Sequence, residues 1–191
     1  MDQIVPGSIA DMALQNGGQM IPPALCVMFD VSYSMQDSDG TLKDGSRTSR
    51  YAAGVEQLRD LQAEYPGQIV LIDFAQKAEV RPGGMPNEPL GLDTLLVPAM
   101  LLARELDTGL MRFVVISDGR PCDGPMALQV AQTFQGQIDT IAIGSECSEE
   151  FLRSLAQATG GCYHRDRQGT RLLGQVVRGL LAAPMTTDGA C

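Results

Sequence analysis

A single histidine, five scattered cysteines and no excess of positive charge remove several functions from consideration before any motif is sought. Lys plus Arg number 14 against 23 Asp plus Glu, a net charge of -9. Broad nucleic-acid binding needs clustered positive charge to neutralise phosphates, and this balance opposes it. The cysteines, Cys26, Cys122, Cys147, Cys162 and Cys191, are odd in number and form no C-x-x-C pair, so neither a disulfide framework nor a zinc site is expected. No apolar run approaches the roughly 18 residues that would suggest a membrane span. The opening MDQIVPGSIAD lacks a basic region followed by an apolar one, so a standard secretion signal is not expected and a reducing cytoplasm is the simplest compartment. Hydrolytic motifs are missing as well: there is no G-x-S-x-G elbow, no P-loop and no G-x-G-x-x-G fingerprint. With one His and no Cys/His pair in register, no nucleophile has an evident base, and the expectation is that the chain is not an enzyme.

What is present is a pattern of buried strands and amphipathic helices. Apolar content of 44% with 19% charged residues describes a folded protein, and 191 residues suit one domain. Ala24 to Phe29 is apolar at every position, as a central parallel strand buried on both faces requires. Further strands are expected at 68–74, 78–82, 113–116, 137–143 and 161–164. Helices are expected at 48–65, 94–106, 125–134, 148–158 and 170–181. The short 78–82 segment, closed by Pro82-Gly83-Gly84, reads as an antiparallel edge strand. Alternation of this kind predicts an α/β fold: a doubly wound, mostly parallel central sheet with one antiparallel edge strand and helices on both faces. Residues 1–23 read as an irregular N-terminal arm with a short helical turn near Ile9 to Leu14, 24–182 as the domain, and 183–191 as a loosely held tail.

The chemistry concentrates where the first strand ends, in Phe29-Asp30-Val31-Ser32-Tyr33-Ser34-Met35. Asp30, Ser32 and Ser34 place three oxygen donors at alternate positions. Hard divalent cations take oxygen ligands, and Mg²⁺ completes a near-octahedral set with water. Two more donors stand in matching places: Thr94 in the loop opening the second helix, and Asp118 at the end of the strand VVIS. In a doubly wound sheet, ligands bind beyond the carboxyl ends of the strands, where the winding reverses.

This pattern resembles the von Willebrand factor A domain and its metal-ion-dependent adhesion site, over roughly residues 24–182. The family motif of Asp-x-Ser-x-Ser, then Thr, then Asp is matched by Asp30, Ser32 and Ser34, by Thr94 and by Asp118. The resemblance implies a Rossmann-like fold and a metal site. Ser32 and Ser34 would ligate directly, Thr94 directly or through water, and Asp30 and Asp118 would order the waters and hydroxyls. It implies Mg²⁺, with Mn²⁺ or Ca²⁺ as alternatives, and a partner protein presenting an Asp or Glu to the metal. It also implies kinship with small intracellular bacterial or phage members. Where the family often has Gly-Gly-Thr, this chain has Leu92-Asp93-Thr94; Asp93 either adds charge beside the site or caps the helix.

Two rival expectations stand beside the binding module. One is a structural component whose metal only stabilises loops. The other is a Mg²⁺-dependent hydrolase, opposed by Ser32 standing where a haloacid-dehalogenase-like phosphatase needs a second Asp. Asp37, Asp39 and Asp44 read as a solvated loop or an acidic rim, His164 as structural or surface, and Asp73 as a group of lesser weight near the site.

Overall fold

The computed structural model describes residues 23–81, 84–89, 91–119, 121–144, 149–166 and 171–182. The proposed N-terminal arm with its helical turn, apart from residue 23, and the proposed tail lie outside these residues.

Among the described residues, eight strands and five α-helices follow in chain order. Strand β1 (Leu25–Asp30) leads through a 3-10 turn (Tyr33–Gln36) into a small hairpin, β2 (Gly40–Thr41) and β3 (Arg47–Thr48). Then come α1 (Arg50–Glu64), β4 (Ile69–Phe74), β5 (Ala78–Arg81), α2 (Val97–Glu105) and β6 (Arg112–Ser117). The chain continues with α3 (Gly124–Ala131), β7 (Ile138–Ile143), α4 (Glu149–Ala158), β8 (Tyr163–Asp166) and α5 (Arg171–Ala182). The main sheet has the order β5-β4-β1-β6-β7-β8. All its pairings are parallel except β4 with β5. The expected sheet and its antiparallel edge are therefore observed.

The strand alternation sorts residues into two cores. Cys26 and Met28 of β1, with Phe113 and Val115 of β6, pack under α2, α3 and α4. Leu25, Val27 and Phe29, with Val114 and Ile116, pack under α1 and α5. Successive side chains of a strand point to opposite faces, so a strand covered by helices on both sides must be apolar throughout. All six residues of β1 are buried. Fully burying a side chain such as Phe29 contributes about 2 kcal/mol. Gly54 of α1 lets that ring fit, since a Cβ there would stand 2.6 Å from Phe29 Cζ.

Three local expectations change. Gly40–Thr41 and Arg47–Thr48 pair as the β2–β3 hairpin, in a polar stretch where no strand was expected. Helix α2 begins at Val97, later than Thr94, because its free N–H groups are bound by another loop: Asp123 Oδ1 accepts from Leu96 N at 2.9 Å and Oδ2 from Val97 N at 2.8 Å. Asp93 is exposed and accepts from Gln76 Nε2 at 3.4 Å, so it does not cap the helix. Finally, Cys162 is disulfide-bonded, whereas Cys26 and Cys122 are free. Spacing alone gave no hint of that bond.

Candidate functional site

Strand β1 lies between β4 on one side and β6 on the other, so successive crossovers leave it in opposite directions. The carboxyl ends of β1 and β6 form the switch point of the sheet. Asp30 ends β1 and Ser117 ends β6, and the two are bonded: Ser117 Oγ donates to Asp30 Oδ2 at 2.6 Å. The other carboxylate oxygen, Oδ1, accepts from Ser32 N at 2.8 Å. This is an Asx turn, and it bends the chain straight out of the strand. Burial raises the Asp30 carboxyl from its ordinary 3.8 to about 6; the two serine partners pull it back and the charge of Asp118 pushes it further up.

From there a line of oxygens runs across the cleft. Ser32 Oγ and Ser34 Oγ are 3.1 Å apart, and Ser34 Oγ donates to Asp118 Oδ1 at 3.0 Å. These spacings permit a test of fit. Two ligands at about 2.0–2.1 Å from Mg²⁺ and at right angles are separated by about 2.9 Å. Both edges match adjacent ligands of an octahedron, and every donor is oxygen. Asp30, with both oxygens engaged, is suited to holding the loop. Ser32, Ser34 and Asp118 are suited to facing an ion or its waters.

The loop carrying Thr94 is tied by backbone bonds to the loops after β1, β4 and β6. Gly91 O accepts from Tyr33 N at 2.8 Å, and Ser32 and Gly91 form a parallel bridge. Leu95 N donates to Ala75 O at 2.8 Å, and Cys122 N donates to Thr94 O at 2.8 Å. A side chain at Gly91 would collide with Ala75, its Cβ falling 2.5 Å from that methyl, so glycine is what lets the loop close in. Thr94 is half-buried, and its hydroxyl makes no hydrogen bond among the described residues. Of the five expected residues, four belong to one hydrogen-bonded group and the fifth stands in the adjoining loop.

Sequence reasoning overlooked Arg50. It opens α1 and is 5% exposed. Its guanidinium donates from Nη1 to Asp118 Oδ2 at 2.7 Å, and from Nε and Nη2 to the two oxygens of Asp39 at 2.6 and 2.8 Å. Asp37 Oδ2 lies 3.4 Å from Nη1. The fork on Asp39 is the chief reason its pKa is raised above the ordinary value, so it stays charged. A signal was legible: a helix start attracts anions, so an arginine directly after the N-cap Ser49 needs carboxylates nearby. Asp39, read as solvated loop or acidic rim, is one of them and lines the cleft. Asp44 does behave as a loop residue; it is exposed and accepts from Ser46 N at 2.8 Å. Asp73 is also reassigned. It accepts from Arg81 Nε at 2.6 Å and Asn87 N at 2.8 Å, and fastens the 84–89 loop.

The cleft above this group measures ≈ 530 Å³ and is lined by Ser34, Asp37, Ser38, Asp39, Arg50, Asp118 and Gly119. Tyr33, between the two serines, and Leu92, next to the bridging Gly91, are 62% and 84% exposed. Among the described residues, no three His, Cys, Asp or Glu side chains group as metal ligands, so any ion here relies on hydroxyls.

An open parallel sheet with an oxygen-lined cleft at its switch point places the chain in the Rossmann-like α/β class. Solved structures narrow this to the von Willebrand factor A fold. An aerotolerance-related membrane protein from Bacteroides fragilis matches at TM-score 0.60 and 15% identity, covering 83% of this chain and 98% of that one. The ArnB paralog VWA2 from Sulfolobus acidocaldarius matches at TM-score 0.58 and 21% identity, covering 79% of this chain and 42% of that one. Mussel proximal thread matrix protein 1, solved with a zinc-occupied MIDAS motif, matches at TM-score 0.59 and 12% identity, covering 90% of this chain and 50% of that one. No family profile and no curated protein matches the chain.

Proposed function

We propose that this chain is a divalent-cation-dependent protein-interaction module. In this reading the hydroxyls of Ser32, Ser34 and Thr94 face Mg²⁺ and Asp118 meets it directly or through water, while Asp30 holds the loop. The observation that carries it is the Ser32–Ser34–Asp118 line, whose 3.1 and 3.0 Å edges suit adjacent octahedral ligands. The bound ion would supply an electrophilic centre for an Asp or Glu side chain of a partner protein. Neutral hydroxyls donate no charge to the ion, so coordination by an incoming carboxylate is favoured. Tyr33 and Leu92 give that partner exposed apolar contacts at the rim. The zinc-occupied motif of the mussel protein supports a divalent ion in this position of the fold.

A non-enzymatic role belongs to the same reading. The position two after Asp30 is Ser32, which has no acid/base capacity at neutral pH. The histidine is in β8, three strands from β1, or about 14 Å away at ordinary strand spacing. No helix among the described residues is long and apolar enough to cross a membrane. Cytoplasmic placement is retained in this reading, and the Cys162 disulfide is the observation that opposes it.

The test is metal titration of the purified chain by calorimetry, followed by partner capture with Mg²⁺ and again with EDTA. Saturable Mg²⁺ or Mn²⁺ binding that Ser34→Ala weakens is expected, along with capture that EDTA abolishes. Capture that survives both EDTA and Ser34→Ala would leave a purely structural role for the ion. Absence of any metal binding would refute the site.

A further inference from the structure

Among the described residues lining the cleft, Arg50 is the only cation. It is nearly buried at the first position of α1, where the partial positive charge of the helix end makes a cation unfavourable. Three carboxylates offset that cost: Asp39 by a two-pronged contact, Asp118 at 2.7 Å and Asp37 at 3.4 Å. The backbone is shaped around the same group. Gly144, at φ +92, leaves room that a Cβ would fill, since it would stand 2.4 Å from Arg50 Nε and 2.5 Å from Cζ. Asp118 is thereby divided. Its Oδ2 holds the guanidinium and its Oδ1 holds Ser34, the central hydroxyl of the cluster.

Resting on the metal reading above, we propose that Arg50 is a resident counter-cation that weakens the cluster's hold on a divalent ion, so that ion and partner carboxylate bind cooperatively. A fixed positive charge one carboxylate away repels an incoming ion and draws on the Asp118 charge that would otherwise favour it. A partner's carboxylate adds the missing negative charge, and each ligand then raises the affinity of the other by the same factor. The arginine also keeps Asp118 and Asp39 paired while the ion is absent, so the loops need no metal to stay in place.

The experiment is Mn²⁺ titration of the full chain, followed by the paramagnetic resonance of the free ion. Wild type, Arg50→Met and Arg50→Lys are compared. Arg50→Met keeps the stem and removes the charge, and is expected to bind Mn²⁺ about tenfold tighter or more. Arg50→Lys keeps the charge without the fork and is expected to stay near the wild-type affinity. A merely structural role would weaken binding in Arg50→Met, so a folded Arg50→Met with equal or lower affinity overturns the proposal. A second measurement needs no variant. Wild-type Mn²⁺ affinity is compared in acetate and in chloride at equal ionic strength, and acetate is expected to tighten it several-fold. No difference between the two anions overturns the cooperativity. If the wild type binds no Mn²⁺ in either anion, the metal reading falls and this proposal with it. Unchanged affinity in Arg50→Met, alongside genuine wild-type binding, overturns this proposal alone.

Discussion

Asp30 has no exposed surface, and its carboxyl is raised from 3.8 to about 6 because burial disfavours the charged form. The consequence for stability has a definite sign. A carboxyl whose folded pKa exceeds its unfolded value binds more protons when folded across the interval between them, so stability increases as pH falls through that interval. A shift of this size is worth about 3 kcal/mol in the metal-free protein. About 2 kcal/mol of it lies between pH 7.5 and 4.5, a range open to measurement. Asp30→Asn removes the titration with little loss of contacts. Its carbonyl still accepts from Ser32 N, and the Ser117 hydroxyl can turn to accept from the new amide. Urea unfolding in EDTA, repeated over this range for wild type and Asp30→Asn, isolates the effect from all other carboxylates. Relative to the variant, wild type should gain about 2 kcal/mol on acidification. Saturating Mg²⁺ should flatten the difference, since a nearby divalent charge favours the ionised carboxylate. Parallel stability curves in EDTA would refute the account of Asp30 as a buried carboxyl that resists ionisation.

Other perturbations test how the site is assembled. Gly144→Ala forces an L-residue to φ +92 and presses a methyl into the Arg50 guanidinium; a loss of about 2 kcal/mol or more in urea unfolding is expected. Asp123→Ala strips two N–H groups of α2 of their acceptor and should cost about 1–2 kcal/mol, with weaker Mg²⁺ binding because the Thr94 loop feeds that helix. A matching Asp93→Ala should be neutral within about 0.5 kcal/mol. Tyr33→Ala and Leu92→Ala should leave the unfolding midpoint unchanged, since both side chains are exposed, yet reduce partner capture measured in Mg²⁺.

The sheet and its site were legible in the sequence to different degrees. Strands β1 and β6 announce themselves because burial on both faces leaves 25–29 and 113–116 without a polar residue to confuse the pattern. Asp30, Ser32, Ser34 and Asp118 follow because strand ends fix where their side chains emerge. Thr94 could be placed in a loop but not in three dimensions, as its position depends on the Gly91 bridge and on backbone bonds from Ala75 and Cys122. Arg50 and Asp123 were missed, and Asp39 was left between loop and rim, for a common reason. Each acts on a partner between 11 and 68 residues away, a separation to which helical and strand periodicity are blind. The β2–β3 hairpin was hidden by its brevity, two residues a strand being too few to show alternation.

Three aspartates at the carboxyl ends of adjacent strands show how neighbours, more than residue type, assign a role. Asp73 in β4 pairs with Phe29 in register and lies close to Asp30 along the sheet. Its Oδ2 is taken by Arg81 and by the backbone of Asn87, so it fastens a loop. Asp30 spends one oxygen on Ser32 N and the other on Ser117, so it shapes the bend out of β1. Asp118 is neutralised on one side by Arg50 and meets only the Ser34 hydroxyl on the other. That remaining oxygen, with the two serine hydroxyls, is the part of the group open to exchange with a ligand. An ion approaching here would displace one hydroxyl contact, whereas at Asp30, with both oxygens engaged, it would have to break the bond to Ser32 N or to the Ser117 hydroxyl. Asp118 therefore keeps one oxygen held by a single hydroxyl beside the cleft, and in the proposed reading Arg50 on its other oxygen sets how strongly the group attracts a cation.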